Sequence, residues 1–363
     1  MVLPKSETAT AMRQMTSFPA HALYEKDEFG YLNAGRTFFE SYNFGDGSIH
    51  NYSFPMPGIA SSDVSLCVQF AAAGNKSSTL TVSSEGNTLF TMNFRALQDY
   101  ENGVVQSKTL TWRNVVSEKP LLKFSHPCTT GISGHLDYIR ATYDRHLNIG
   151  SEGYLAFRTK ENAAYSAQIT GANESTRVLR VTSPQLTIEQ QGKYDGGTYT
   201  AVVTPSEEGG DTYVAINTNS TFPTPENLGV VKTQDLHSLS DIDFVIITPA
   251  NGALNAEAQR LADAHANLEG MKCAVVQADK IYNEFSSGTP DATAYRRFLK
   301  MLYDKSNGNG PRNVLLFGRC VWDNRLVTTA MKGQNQNDFL LCYESENSVS
   351  HTNSYVLEEY FTL

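Results

Sequence analysis

The spacing of apolar residues changes once along the chain, near residue 217, and the two sides of that point predict different structures. From about residue 31 to residue 216, apolar residues recur at every second position, as they do over Val64–Phe70. This alternation is typical of strands with one buried and one exposed face. Between residues 1 and 30 the periodicity is weak, which predicts an irregular N-terminal segment.

Turn signals separate the strand-like runs. In "TLTVSSEGNTLFTMNF" apolar residues stand on both sides of Glu85-Gly86-Asn87, which predicts a hairpin. Further runs of this kind are "YIRATY" (138–143), "GYLAFR" (153–158), "RVLRV" (177–181), "TYTAVV" (198–203) and "TYVAI" (212–216). Many short strands without an intervening helix favour an all-β sandwich of the jelly-roll type over residues 31–216.

Residues 217–240 have the composition of a linker. Pro223, Pro225 and the polar residues around them disfavour both a helix and a central strand. We therefore predict a domain boundary in this segment.

Beyond residue 241 strands and helices alternate. Continuous apolar runs at 243–248, 272–277 and 313–318 are typical of strands buried on both faces of a parallel sheet. A helix is predicted over 254–268, with Gly270 as its stop signal. The run "DFLLCYE" (338–344) predicts a fourth strand.

A second helix has a start signal of its own. Thr289 is a candidate N-cap, Pro290 suits the first helical position, and Asp291 places negative charge near the positive end of the helix dipole. Apolar residues from Tyr295 to Tyr303 then share one face. The order β-α-β-α-β implies right-handed crossovers and a parallel sheet, so residues 241–363 are predicted to be an α/β domain.

Composition excludes several functions. The chain has 363 residues, enough for about two domains, and its net charge of −9 counts against a nucleic-acid partner. No apolar run is long enough for a transmembrane segment. No strand is followed by a glycine-rich phosphate loop, so nucleotide binding is disfavoured. The five cysteines have no CxxC spacing that would indicate a zinc site.

Candidate chemistry lies beyond the carboxyl ends of the predicted parallel strands, where ligands and catalytic groups gather in such sheets. Cys320 is a candidate nucleophile and His351 a candidate base, although a lone cysteine is a weak signal and a structural or merely exposed thiol is the favoured interpretation of Cys320. A charged group near the same edge fits either a solvated loop or a substrate or cation site. It consists of Asp323, Arg325, Glu344 and Glu346.

Several long motifs resemble the gingipain-type cysteine peptidases, and within them the sortase-like branch of the type IX secretion system of Bacteroidetes. In the second half they are "FPTPENLGVVKTQDLHSLSDIDFVIITP", "YNEFSSGTPDATAYRRFLKMLYD", "NVLLFGRCVWDNR" and "NDFLLCYESENSVSHTNSYV". Upstream, "FPAHALYEKDEFGY", "GHLDYIR" and "VLRVTSP" are similar to the β-rich region that precedes the peptidase domain in that branch.

The resemblance implies a caspase-like α/β peptidase unit with a Cys/His dyad and no cofactor, although a structural calcium ion fits the expectation. It also implies protein or peptide substrates, secretion-system components as partners, and a place at the outer-membrane surface. In the family the catalytic His and Cys follow later strands than those present here, and Cys320 and His351 do not align with them. The chain is thus expected to be an internal fragment, inactive by itself, with no catalytic residues of its own.

Two other functions stay open. One is a non-enzymatic docking module of a secretion complex, with the α/β part as a scaffold. The other is a small cysteine hydrolase that uses Cys320 and His351.

Overall fold

The computed structural model describes residues 13–46, 49–127, 131–183, 186–227, 229–232 and 234–362. Most of the described elements are strands, and the helices lie in the last third of the chain. The fold-class prediction, a β-sandwich region followed by an α/β unit with a parallel sheet, is confirmed.

The first sandwich is built from the strands of residues 17–146, which pair antiparallel. The strands up to residue 146 are β1 (Arg13–Met15), β2 (Ser17–Glu25), β3 (Ile49–Ser53), β4 (Val64–Ala73), β5 (Ser78–Ser84), β6 (Asn87–Phe94), β7 (Val104–Trp112), β8 (Leu121–Ser125) and β9 (Ser133–His146). One sheet has the order β2-β9-β4-β7 and the other β3-β8-β5-β6. Their inward faces share one core, where the rings of Phe70 and Phe94 lie 5.7 Å apart.

A second pair of sheets follows, which the period-two pattern did not separate from the first. Its strands are β10 (Tyr154–Phe157), β11 (Tyr165–Thr170), β12 (Thr176–Ser183), β13 (Leu186–Gln190), β14 (Gly192–Asp195), β15 (Thr198–Val203) and β16 (Thr212–Asn217). The sheet orders are β1-β11-β15-β14 and β10-β16-β12-β13. Residues 13–217, called the β-half below, thus form two stacked pairs of sheets around one continuous apolar core.

The predicted irregular segment over residues 1–30 is wrong for its described part. Ser17–Glu25 pairs along its whole length with β9 and forms the edge strand of its sheet. Alternating burial explains this, since Phe18 and Ala20 enter the core while Leu23 stays exposed. The predicted hairpin turn is confirmed, because Glu85 (φ 50°) and Gly86 (φ 81°) have the two positive φ angles of a tight two-residue connection between β5 and β6.

The C-terminal unit contains the predicted parallel sheet. Its elements are β17 (Phe244–Thr248), α1 (Asn255–Glu269), β18 (Cys273–Gln277), α2 (Ala278–Phe285), α3 (Ala292–Lys305), β19 (Asn313–Leu316), β20 (Cys320–Val321) and β21 (Leu340–Leu341). The order β18-β17-β19 is parallel throughout. Helix α1 covers one face of β17 and helices α2 and α3 cover the other, so this central strand is buried on both sides.

Three details of this unit differ from the sequence predictions. Helix α2 was not predicted and begins directly where β18 ends. The N-cap of α3 is Asp291, whose carboxylate accepts a hydrogen bond from the backbone N–H of Thr293 at 2.8 Å, and not Thr289. The fourth strand spans Leu340–Leu341 alone and pairs with β20 instead of extending the three-stranded sheet. Domain boundaries within 217–240 stay a prediction.

Candidate functional site

A cavity of about 480 Å³ lies where the β-half meets the loops that follow β20 and β21. We call it the junction cavity. Its lining residues from the β-half side are Glu25, Asp27, Arg36, Thr37, Phe38, Gln69, Asp137 and Tyr138. Those from the C-terminal unit are Trp322, Asn324, Arg325, Glu344 and Glu346. A cavity of this size suits a small ligand or one side chain of a partner.

The fold places these groups from two directions. Asp137 projects from β9 and Gln69 from β4, two neighbouring strands of one sheet. Trp322 and Arg325 follow β20, and Glu344 follows β21, so they lie beyond the carboxyl ends of parallel strands.

Glu344 is the most unusual group in the cavity. Its side chain is buried, with 2% of the residue exposed. Among the described residues its Oε2 atom has no hydrogen bond of ordinary geometry, although the backbone N–H of Gly35 partly stabilises the carboxylate. The other oxygen, Oε1, lies 3.6 Å from the Cys342 thiol. Burial raises the pKa of Glu344 to about 7, because water no longer stabilises the charged form.

Asp137 faces the same cavity from the opposite side. It is 4% exposed, and its Oδ2 atom accepts a hydrogen bond from Gln69 Nε2 at 2.7 Å. Burial, assisted by the negative charges of Glu25 and Asp27, raises the pKa of Asp137 to about 7. Two buried carboxyl groups therefore titrate near neutral pH in one cavity.

Two arginines are already engaged at the cavity. Arg325 donates from Nη2 to Asp27 Oδ2 at 2.5 Å, which joins the C-terminal unit to the β-half. Arg36 lies with its guanidinium 5.1 Å from the ring centre of Tyr343. Each cation thus has a partner at the rim.

Of the charged group predicted from the sequence, the structure brings Arg325, Glu344 and Glu346 together in this cavity. Asp323 points away and organises its own loop. Its Oδ2 atom accepts hydrogen bonds from the backbone N–H of Thr328 at 2.8 Å and from its hydroxyl at 2.7 Å. Asp323 is buried by this turn and has a structural role.

The structure gives Cys320 and His351 different partners. Cys320 is exposed and lies near Cys342, whose thiol donates a hydrogen bond that lowers the pKa of Cys320 to about 6. His351 Nε2 lies 3.1 Å from Asn102 Oδ1, and its backbone N–H donates to the Tyr100 carbonyl at 2.9 Å. The side chain of His351 is thus held against the β-half.

The other cysteines differ in their surroundings. Cys67 is buried with its sulfur 3.4 Å from Ser107 Oγ, and Cys273 is half-buried beside α1. Cys128 lies outside the described residues. Among the residues that the structure describes, no three His, Cys, Asp or Glu side chains converge closely enough to hold one metal ion. Within the same ranges, no helix has the length and apolar character required to cross a bilayer.

Sequence reasoning missed the half of the cavity that comes from the β-half. Asp137 is the acidic residue of "GHLDYIR" on a largely buried stretch of β9, since Leu136 and Ile139 near it are fully buried. A charged residue within an apolar strand pattern is the one signal that was available.

Comparison with known proteins confirms the resemblance to the gingipain-type cysteine peptidases. Residues 237–363 match the model of peptidase family C25. The fold is similar to that of the crystal structure of dimeric latent PorU from Porphyromonas gingivalis, with a TM-score of 0.80 and 26% identity over 99% of the chain. The chain spans 35% of the length of that structure. Residues 237–363 are therefore related to the cysteine peptidases of this family.

Weaker structural matches cover about a third of the chain. A CBM36-1 domain of a xylanase from the hindgut metagenome of Trinervitermes trinervoides is 11% identical over 34% of this chain and 95% of its own, with a TM-score of 0.24. A family 35 carbohydrate-binding module from Clostridium thermocellum is 12% identical over the same shares, 34% and 95%, also with a TM-score of 0.24. No curated protein matches.

Proposed function

We propose that this chain is part of a cysteine endopeptidase that removes the C-terminal sorting signals of cargo secreted by a type IX system at the cell surface. The observation that carries the proposal is the similarity to PorU over 99% of the chain, together with the match of residues 237–363 to peptidase family C25. Its substrates would be secreted proteins and its partners other components of the secretion system.

The experiment is deletion of the coding region in its host, followed by intact-mass spectrometry of secreted cargo. We expect the cargo to keep its C-terminal signal in the deletion strain and to lose it when the gene is restored. Normal processing in the deletion strain would overturn the proposal.

We further propose that the 363 residues alone do not cleave peptides, because the two candidate residues face different neighbours. Cys320 lies beside Cys342, and His351 is bonded to Asn102. Purified chain incubated with signal-bearing cargo is expected to leave its mass unchanged. Co-precipitation of secretion components by the same inactive chain would favour the docking-module alternative.

The hydrolase alternative has one observation in its favour, the lowered pKa of the exposed Cys320 thiol. A thiolate is the nucleophilic form of cysteine. If Cys320 were the nucleophile, peptide cleavage would be measurable in the unmodified chain, absent in Cys320→Ala and retained in Cys273→Ala.

A structural calcium ion also stays a proposal. Melting temperatures measured with added calcium and with a chelator test it, and equal values would count against it.

A further inference from the structure

Two cysteines lie next to each other at the short ladder formed by β20 and β21. Cys320 is the first residue of β20, and its partner across the ladder is Leu340, the first residue of β21. Cys342 comes two residues after Leu340, so the alternation of side chains along a strand places it on the same face as Cys320. The two thiols form a hydrogen bond with each other.

Cys342 is held against the segment that carries Cys320 by its backbone as well as by its thiol. The side chain of Asn324 donates to the Cys342 carbonyl at 2.7 Å and accepts the Cys342 backbone N–H at 3.2 Å. The Cys342 Sγ atom lies 3.2 Å from the carbonyl oxygen of Val321, the residue that follows Cys320. These contacts keep the buried sulfur beside the exposed one.

The two thiols differ in their access to solvent. Both are free, but Cys320 is exposed whereas Cys342 is 4% exposed. A reagent from solvent therefore reaches Cys320 first, and Cys342 can react only with what Cys320 has already bound. An exposed attacking thiol backed by a second thiol is the arrangement in which a mixed disulfide is resolved within one protein. The lowered pKa of Cys320 agrees, because the thiolate is the attacking form.

We propose that Cys320 and Cys342 form a reversible disulfide that fastens β20 to β21 under oxidising conditions. The chain leaving β20 carries Trp322 and Arg325, and the chain leaving β21 carries Glu344. The bond thus joins the two segments that form one wall of the junction cavity, and acts as a redox-controlled restraint on that wall. The proposal does not require peptide cleavage and is independent of the sorting function.

The oxidant in this reaction is a low-molecular-weight disulfide, RSSR. The Cys320 thiolate attacks one of its sulfurs, the RSSR bond breaks, and the first RS⁻ leaves and takes up the proton that Cys320 had lost. The Cys342 sulfur then attacks Cys320 Sγ while the Cys342 proton passes to the second departing RS⁻. In total the two protein thiols lose two electrons and two protons, and RSSR is reduced to two RSH.

The test is incubation of the whole chain with glutathione disulfide, alkylation of the remaining thiols, and tryptic mass spectrometry without reduction. Trypsin releases Cys320 within residues 320–325 and Cys342 within residues 333–363. We expect these two peptides as a linked pair that dithiothreitol separates. Glutathione retained on residues 320–325 without the linked pair would overturn the proposal, and so would linkage of either peptide to a different cysteine.

Three variants check the order of the two steps. Cys342→Ala should leave glutathione on Cys320, with at least about tenfold more of this adduct than the unmodified chain retains. Cys273→Ala is the matched control, because Cys273 is a half-buried thiol on β18, and it should form the linked pair as the unmodified chain does. In Cys320→Ala, an exposed and mild change, Cys342 should stay unmodified. Glutathione on Cys342 in this folded variant would overturn the proposed order.

The restraint itself is measured by thermal unfolding. A disulfide between these positions closes a loop of about 20 residues and reduces the conformational freedom of the unfolded chain. The melting temperature of the oxidised chain should therefore exceed that of the reduced chain by about 5 °C or more. Cys320→Ala should show no such difference between the two conditions. Equal melting temperatures in a chain that carries the linked pair would show that the bond does not fasten the two strands.

Discussion

At the residue scale, Cys320 and Cys342 illustrate how one neighbour can change a thiol. Cys320 lies on β20 and is exposed, whereas Cys342 directly follows the parallel strand β21 and is buried. The hydrogen bond from Cys342 lowers the pKa of Cys320 to about 6, while the same interaction and burial raise the pKa of Cys342. One thiol of the pair is therefore reactive at neutral pH and the other is not.

We expect iodoacetamide to alkylate Cys320 with a midpoint near pH 6. In Cys342→Ala the donor is lost, so the midpoint should rise toward the value of about 8.5 for a free cysteine. Mass spectrometry of labelled peptides measures the alkylation midpoint of Cys320 in both proteins. Cys273, whose pKa is raised by burial, should react slowly and serves as an internal control. An identical midpoint in the two proteins would show that Cys342 does not act on Cys320.

The second residue-scale prediction concerns the pH dependence of stability. Because the pKa of Glu344 is raised from 4.5 to about 7, the folded state holds a proton more tightly than the unfolded state between those values. The free energy of unfolding should therefore be highest at low pH and fall as pH rises from about 4.5 to 7, by no more than roughly 3 kcal/mol for this group.

Urea unfolding across this range measures the effect. Glu344→Gln cannot ionise, so its pH profile should be flatter and its stability at pH 8 higher than that of the unmodified chain. Glu174→Gln, at an exposed position, should follow the unmodified profile. A profile of Glu344→Gln that still falls as steeply would place the titrating group elsewhere.

At the element scale, the structure distinguishes two candidate N-cap residues of α3, Asp291 and Thr289. The carboxylate of Asp291 accepts the Thr293 N–H at 2.8 Å, whereas Thr289 precedes the helix and accepts a bond from Ser286 Oγ through its backbone carbonyl. Asp291→Ala should therefore lower the free energy of unfolding by about 1 kcal/mol, and Thr289→Ala should have little effect. Asp291→Asn, which keeps an accepting oxygen, should recover most of the lost stability. Urea unfolding of the three variants measures these differences, and a larger loss in Thr289→Ala than in Asp291→Ala would contradict the assignment of Asp291 as the N-cap.

At the scale of the whole molecule, the segment around Gly35 joins the β-half to the C-terminal unit. The Arg36 N–H donates to the Ser345 carbonyl at 3.1 Å, and Thr37 donates from its backbone to Ser348 Oγ at 2.8 Å. Gly35 has a φ of +86°, and an added Cβ would overlap the carbonyl oxygen of Asn347. Only glycine fits this close approach of the two segments.

Gly35→Ala should therefore separate the two units, which we expect to be seen as faster trypsin cleavage after the exposed Lys232. Gly86→Ala is the matched control, because Gly86 has a φ of +81° but open space around its Cβ position. It should show only the strain of a positive φ, about 1–2 kcal/mol, without faster cleavage at that site. Equal cleavage rates in both variants would mean that the Gly35 contact does not hold the units together.

Local patterns in the sequence predicted most of the elements and their kind, although they missed strand β2 and helix α2. Alternation at period two and continuous apolar runs are local properties, so Val64–Phe70 and Phe244–Thr248 could be assigned to an antiparallel and a parallel sheet before any contact was known. The end of α1 at Gly270 and the turn at Glu85-Gly86 could also be predicted from the sequence, because backbone conformation at such positions depends strongly on the residue itself.

The location of the candidate site follows from contacts between segments that are far apart in the chain. Asp137 and Glu344 are separated by more than half of the chain, and no local pattern could show that they face one cavity or that Glu344 is buried. No local pattern could show either that His351 forms a hydrogen bond with Asn102 of the β-half. Charge, burial and hydrogen bonding at a site depend on surfaces brought together by folding, and here these are set by the packing of the β-half against the loops that follow β20 and β21.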